Sequence, residues 1–455
     1  MTEARRHAIV VGASIAGLGA ARALANHFDH VTLVERDELA TGSESRKGVP
    51  QARHAHGLLP SGYRILSDYF PGMMDELVAE GAMRGDLTGD FLWYQYGGWK
   101  LRADSGLEAI VVSRPCLERK VRARVAAMLK VTLLQGHDCE SPVFDPEKRR
   151  ITGLSVTNRA TGATVTLEAD LVVDALGRGS PSPRWLASWG YGQVEETTVP
   201  IEVGYATGVF ERRPGDLYGS LGAVIAGTAP QSTRFAAILG AEGNRWIITL
   251  AGCLRDYPPT DFTGWKEFAS TLPTSDTLDL VKDREPIGPI ASYRFPANRR
   301  CHYEKLPDFA SGYLVIGDAV CSFNPLYGQG MSVALSEAYA LDHCLASDDR
   351  DLAQRFFREA ARIVESPWAI ATGEDYRYPQ VQGRRPPGFG IVTRYMARAH
   401  RVAARDPVVL GRFFRVASLL APPTAMMAPG IAWRILLAGI GAAPEIGPAR
   451  KVALA

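Results

Sequence analysis

Short apolar runs separated by small-residue turns open the chain. HAIVV (His7–Val11) reads as a buried strand, the apolar stretch from Ile15 as a helix, and His30–Glu35 as a second strand. The pattern returns twice. ADLVVDALGRGS (169–180) is a strand ending in Asp174 and a glycine-rich turn. GYLVIGDAVCSFNPLYGQGMSVALSEA (312–338) is a strand, a loop and a helix expected from about Gln329 to Asp342. Between them, IEVGYATGVF, TRFAAILG and RWIITLAG are short strands bounded by Gly and Pro, the mark of a separate sheet. FLWYQYGGWK (91–100) is expected to place Phe91, Trp93, Gln95 and Trp99 on one strand face, and Ile110–Ser113 to lead into a helix begun by Pro115. Beyond about Ser366 a Pro-, Gly- and aromatic-rich opening gives way to helical patterning. These elements predict an α/β (α+β) chain. A Rossmann-like nucleotide-binding domain occupies 1–184 and returns over 291–365. A mixed β-sheet substrate domain spans 185–290, and a helical segment covering the substrate cavity spans 366–455.

Length and composition change this picture little. A chain of 455 residues buries a large core, and 46% apolar content is ordinary. The net charge of +2 offers nothing to nucleic acid. Six cysteines without a C-x-x-C pair suit a reduced, cytoplasmic setting. The basic, then apolar N-terminus could pass for a signal peptide, but its glycines fall at cofactor-binding spacing and no cleavage site follows. The uncharged stretch Val416–Trp433 is long enough to span a membrane, yet Pro422, Pro423 and Pro429 break it. Helices packed on the body are expected there, and membrane association is not favoured.

The first βαβ unit carries candidate chemistry. Gly12-Ala13-Ser14-Ile15-Ala16-Gly17 is a G-x-S-x-x-G variant of the dinucleotide fingerprint. Gly12 permits the tight turn, Ser14 is small enough for a pyrophosphate to come near, and Gly17 lets helix and strand approach closely. The helix N-terminus offers free N–H groups and a positive dipole end to the phosphates. Glu35, followed by Arg36, ends the second strand where a carboxylate would bind ribose hydroxyls. This leaves NAD and FAD both open. The segment 312–338 favours a flavin. Asp318 can meet ribityl hydroxyls, and Pro325, Gly328, Gln329, Gly330 and Met331 lead into a helix whose positive end suits the anionic edge of a reduced flavin.

At this point the chain resembles the aromatic-hydroxylase-type FAD-dependent monooxygenases. Their three motifs map to Gly12–Gly17, to Asp174 with Gly177, and to Gly317-Asp318 with Pro325, Gly328 and Gly330. The resemblance implies a hydroxylase-type FAD fold over most of residues 1–345, with Arg114 near the cofactor. Ala175 stands where that family has Gly, which weakens direct use of NADPH. NAD(P)H is thus expected as electron source directly or through an external flavin reductase. RKGVPQARHAHGLL and GDAVCSFNPLYGQGMS narrow the resemblance to bacterial polyether-type olefin epoxidases and squalene-epoxidase-like enzymes. That branch implies O2 chemistry through a flavin C4a-hydroperoxide on an alkene or an electron-rich ring of a hydrophobic polyene, terpenoid or aromatic intermediate. The rival reading is a flavin-dependent reductase of isoprenoid double bonds, similar to geranylgeranyl reductases. A non-catalytic flavin- or lipid-binding protein is a third.

The loop RKGVPQARHAHGLLPSG (46–62) holds two histidines two residues apart, too few for a metal without ligands from elsewhere. It is expected to pack along the adenosine-to-flavin channel with Arg46 near the pyrophosphate or ring. His54, His56 and Arg46 are the candidates for catalysis. Trp93, Tyr205, Trp246 and Phe323 are candidates for the substrate pocket.

Overall fold

His7–Val11 is buried from Ala8 onward because a strand pairs with it on either side. The computed structural model describes residues 7–39, 42, 46, 48–347, 351–438 and 451. The basic start at 1–6, Lys47 and most of the tail after 438 lie outside them. Five parallel strands form the first sheet, in the order Tyr313–Val315, Leu171–Asp174, His7–Val11, His30–Val34, Val131–Leu134. Strands covered on both faces read as unbroken apolar runs, which is why HAIVV and LVVD were legible. The fingerprint helix Ile15–Leu24 packs against the return helix Gly330–Ser347. The fit is close, since a Cβ on Gly19 would lie 3.0 Å from that of Ala338. An antiparallel sheet of three strands, His137–Asp145, Arg150–Asn158 and Thr164–Glu168, lies between sequence segments that pattern reading treated as one domain.

The second large sheet has eight strands. Their order is Cys321–Ser322, Ala291–Cys301, Glu196–Glu211, Arg245–Gly252, Arg234–Ala241, Gly222–Ala226, Phe91–Gln95, Gly98–Trp99. It extends past 185–290 in both directions, because Ala291–Cys301 pairs along Glu196–Glu211 and the hairpin 91–99 pairs with Gly222–Ala226. The hairpin also corrects one expectation. Tyr96 and Gly97, both at positive φ, make a two-residue turn that pairs Trp99 with Tyr94. Directly paired residues share a face, so Trp99 is opposite Phe91 and Trp93.

The helices Phe262–Ser270 and Asp276–Val281 cover one face of this sheet, with Phe210, Trp246, Trp265 and Leu280 in one core. Toward the other face lie the long helix Leu352–Asp375 and a cap of helices Phe389–Val402, Pro407–Ala417 and Pro429–Leu437. The long helix runs through Pro367 to Asp375, so Ser366 marks no break. The uncharged stretch divides as its prolines dictate: Pro423 and Pro429 each start an element. Val416, Met426 and Ile431 join Phe91 and Phe414 in one buried cluster. Among the described residues no helix is long and apolar enough to cross a membrane.

Candidate functional site

One cavity of about 1260 Å³ runs from the fingerprint turn to the C-terminal cap. Its first end is built by glycines. Gly12 sits at φ +99°, where a Cβ would meet the Ala175 carbonyl oxygen at 2.7 Å. Gly17 does not face the cavity: its Cβ would fall 1.7 Å from the Gly12 oxygen, so its role is helix–strand contact. Gly12, Ser14, Ile15 and Ala16 line the cavity at the N-terminus of the fingerprint helix, and Ser14 makes no side-chain cap bond there. The first-turn N–H groups are therefore left for an anion.

A buried ionic chain crosses this end. The Glu35 carboxylate accepts from Ala13 N–H (2.8 Å) and Asp37 N–H (3.0 Å) and pairs with Arg46 Nη1 at 2.8 Å. Arg46 Nη2 donates to the Ala13 carbonyl (3.0 Å) and reaches Glu118 at 3.4 Å. Glu118 also accepts from Arg114 Nε at 3.0 Å, one turn earlier on the same helix. Arg114 Nη1 ends the chain 3.1 Å from His56 Nε2. An arginine only donates, so His56 Nε2 accepts and its Nδ1–H donates to the His54 carbonyl (2.9 Å). Burial, with Arg114 adding, pushes His56 down to about 3. With both ring nitrogens engaged, His56 is a neutral structural group rather than an acid–base one. Arg36 lines the rim, 3.8 Å from Asp138.

The second motif is corrected. Asp174 is 1% exposed and lies outside the cavity wall. Its carboxylate accepts from Leu176 N–H, Ser180, Ser182 and Tyr313, which fold the turn that presents Ala175–Gly179. Gly177 and Gly330 both face Asp318. A Cβ on either would come within 3.9 and 3.8 Å of it. Asp318 lines the cavity, and burial raises its carboxyl although Arg114 and Arg178 oppose the shift.

The loop from Phe323 to Met331 is held from behind. Asn324 caps the turn Pro325–Tyr327 by accepting from Leu326 N–H. Its amide donates to Asp375 Oδ1 (3.0 Å), its backbone N–H to Asn298 Oδ1 (2.6 Å), and its Oδ1 accepts from Tyr205 (3.2 Å). Asp375 is wholly buried and also accepts from Asn298 Nδ2 (2.7 Å) and Tyr327 Oη (3.1 Å). Phe323, Pro325, Gly328, Gln329, Gly330 and Met331 then face the cavity. Pattern reading missed Glu118, Asn298, Asn324 and Asp375. The i,i+4 spacing of Arg114 with Glu118 and an Asn before Pro were available signals. Nothing local pointed to Asp375, whose partners are far away in sequence.

Glu337, on the return helix, holds the Gly317–Asp318 turn by accepting from Gly317 N–H at 2.6 Å. Burial raises its carboxyl to about 8. The folded chain thus keeps a proton that the unfolded chain releases near 4.5, and stability from this group falls as pH rises from about 4.5 to 8. Glu337→Gln removes that slope while keeping an acceptor. The variant should gain about 2–4 kcal/mol on wild type between pH 5 and pH 8 in urea unfolding. Parallel pH profiles would show that Glu337 ionises normally.

At its second end the cavity is mainly apolar. Phe91, Trp93, Tyr205, Phe235, Phe414 and Met426 are among its walls. Trp246 is not: it is fully buried on the opposite sheet face, its Nε1–H donating to Asp216 at 2.8 Å. Along Arg245–Gly252 the alternation sends Trp246, Ile248 and Leu250 to the helices, and Thr249 and Ala251 to the cavity. His54 lines the junction of the two ends, its ring 5.8 Å from those of Tyr205 and Tyr293. Its Nδ1 is 2.7 Å from Thr207 Oγ1, and burial, with Arg53 adding, pushes it down to about 4. Among the described residues no group of His, Cys, Asp and Glu is arranged to hold a metal ion.

Residues 8–203 match the FAD dependent oxidoreductase family model. Protein Rv3254 of Mycobacterium tuberculosis is 34% identical over 432 residues, covering 91% of this chain and 90% of its own length. Kynurenine 3-monooxygenase of Salinispora tropica is 26% identical over 385 residues, 80% of this chain and 77% of that one. Among solved structures, PqsL, a probable FAD-dependent monooxygenase from Pseudomonas aeruginosa, shares the fold. It has a TM-score of 0.61 and 19% identity, over 82% of this chain and 97% of its own.

Proposed function

This chain belongs to the FAD-dependent oxidoreductase family, and we propose that within it the protein is a monooxygenase acting on an alkene or electron-rich ring of a hydrophobic intermediate, with epoxidation the favoured outcome. The observation that carries this reading is the single cavity joining a nucleotide-binding end to an apolar chamber. The residues at the first end fit FAD. First-turn N–H groups at Ile15 and Ala16 would take the pyrophosphate, with Arg46 beside them. Glu35 would take ribose hydroxyls and Asp318 the ribityl chain. Gly328 has open space where a Cβ would stand, so the turn before the return helix leaves room for the ring. When bound, FAD supplies the activation of O2 and the transfer of one oxygen atom.

The chain supplies binding, orientation and dryness. The N-terminus of Gly330–Ser347 favours negative charge by about 0.3–2 kcal/mol. The aromatic and methionine walls exclude water and aim the substrate. His54 and His56 are neutral at pH 7 and make poor bases there. An alkene needs none, whereas a phenol benefits from one. Electrons come from NAD(P)H, directly or through a separate flavin reductase.

The test is anaerobic reduction of the FAD-loaded protein with NADPH, then 18O2 and a polyene. The expected product carries 18O. A product gaining only two hydrogens would replace this reading with an isoprenoid reductase, and a protein that takes up no FAD would end both. Bleaching by NADPH alone means a self-sufficient enzyme; a flavin that stays oxidised means an external reductase.

A further inference from the structure

The chamber has one polar wall. The tight turn at Tyr96-Gly97 brings Gln95 and Tyr96 to it, and Glu374 and His400 join from two helices. Buried Lys100 fastens the pieces, its Nζ donating to the backbone carbonyls of Gln95 and His400 at 3.0 Å each. The Tyr96 ring stacks on His400 at 3.9 Å, and its hydroxyl donates to Glu374 Oε1 at 2.7 Å. The Arg377 guanidinium lies 4.4 Å over the same ring. Side chains from separate segments are thus held rigidly in one place. Yet Gln95 Oε1 and His400 Nδ1 are buried without a hydrogen-bond partner. Leaving such atoms unpaired is costly, and folded chains keep few of them without a reason. Two of the groups facing the chamber are also shifted toward their neutral forms, with Arg377 behind them 3.6 Å from Glu374 Oε2. Burial holds His400 well below its usual value and, with Asp375 adding, raises Glu374 to about 8.

We propose that Gln95, Tyr96, Glu374 and His400 form a subsite for the hydrogen-bonding end of an otherwise apolar substrate, a neutral hydroxyl or similar group that both donates and accepts. The proposal rests on the reading of the chamber as the substrate site and adds a polar end group to that substrate. A neutral glutamine and imidazole match a hydroxyl better than a carboxylate, and the apolar walls around them hold the chain that carries it. The anchored end sets which bond of the chain reaches the flavin loop.

The test is fluorescence titration of the FAD-loaded protein, with Trp93 in the chamber wall as reporter. The probes are farnesol, its deoxy hydrocarbon and farnesoic acid, whose flexible chains adapt to the chamber. Wild type should bind farnesol about ten-fold or more tighter than either analogue, as sites built to bond a hydroxyl do. Gln95→Leu and His400→Phe should each reduce that preference to about two-fold. If His400→Phe does not fold, Gln95→Leu alone decides. A preference absent in wild type, or unchanged in the folded variants, overturns the subsite and leaves the apolar chamber standing. Failure of both farnesol and the hydrocarbon to bind overturns the chamber as well.

Discussion

Arg46→Ala should destabilise the FAD-free protein by about 3–5 kcal/mol, the cost of removing one partner from a buried ion pair. The reason is arithmetic of charge. Arg46 is the cation between Glu35 and Glu118, whose side chains are 7% and 4% exposed, and Arg114 compensates only Glu118. Without Arg46, the Glu35 carboxylate keeps its two backbone donors but loses its ion-pair partner. The variant should also bind FAD about 10–100-fold more weakly, because a charge-assisted bond is worth about 1.5–3 kcal/mol. Urea unfolding and equilibrium dialysis measure the two effects. Arg46→Lys should recover part of the stability, since a point charge can replace one of the two contacts but not the fork. A loss under about 1 kcal/mol for Arg46→Ala would mean that the buried chain is not a stabilising unit.

Asp375→Ala should cost about 2–4 kcal/mol, because it strands buried donors of Asn298, Asn324 and Tyr327 together. It should also weaken FAD binding, although Asp375 is not in the cavity wall. The Asn324 cap sets the course of the chain into Pro325–Gly330, and Asp375 fixes Asn324 to the sheet strand through Asn298. Asp375→Asn, which keeps one acceptor oxygen, should fall between wild type and alanine on both counts. The signature of positioning is a fall in FAD affinity larger in alanine than in asparagine. Equal affinities in wild type and alanine would show that the loop holds its shape unaided.

Much of the nucleotide-binding half was legible because its determinants are local. A tight turn needs Gly12 within a few residues of the strand that enters it, and a parallel strand shows as an apolar run. Glu35, Asp318 and the Gly328–Gly330 turn follow the same logic: each stands where a strand or loop ends beside a helix N-terminus. The histidine loop lines the cavity, but the fate of each ring nitrogen was not readable from the sequence. His56 depends on Arg114 and His54 on Thr207, partners 58 and 153 residues away.

The substrate half was legible as strands and illegible as a site. Alternation along Arg245–Gly252 divides its residues between two faces, but it does not say which face meets solvent, helix or cavity. Trp246 was therefore a reasonable pocket residue that the helices Phe262–Ser270 and Asp276–Val281 claimed instead. Asp174 shows the converse: a motif carboxylate that the hydroxyls of Ser180 and Ser182 engage outside the cavity wall.

Local sequence thus determined the glycine turns that line one end of the cavity and the strands and helices that flank them, since each rests on residues within one or two turns of chain. The tertiary structure alone decided that the hairpin 91–99 joins a distant sheet, that Asp375 supports the loop around Pro325–Tyr327, and that Gln95 and His400 meet around Lys100. These are contacts between segments from 48 to 300 residues apart. Each depends on how whole layers pack, which no short window of sequence contains.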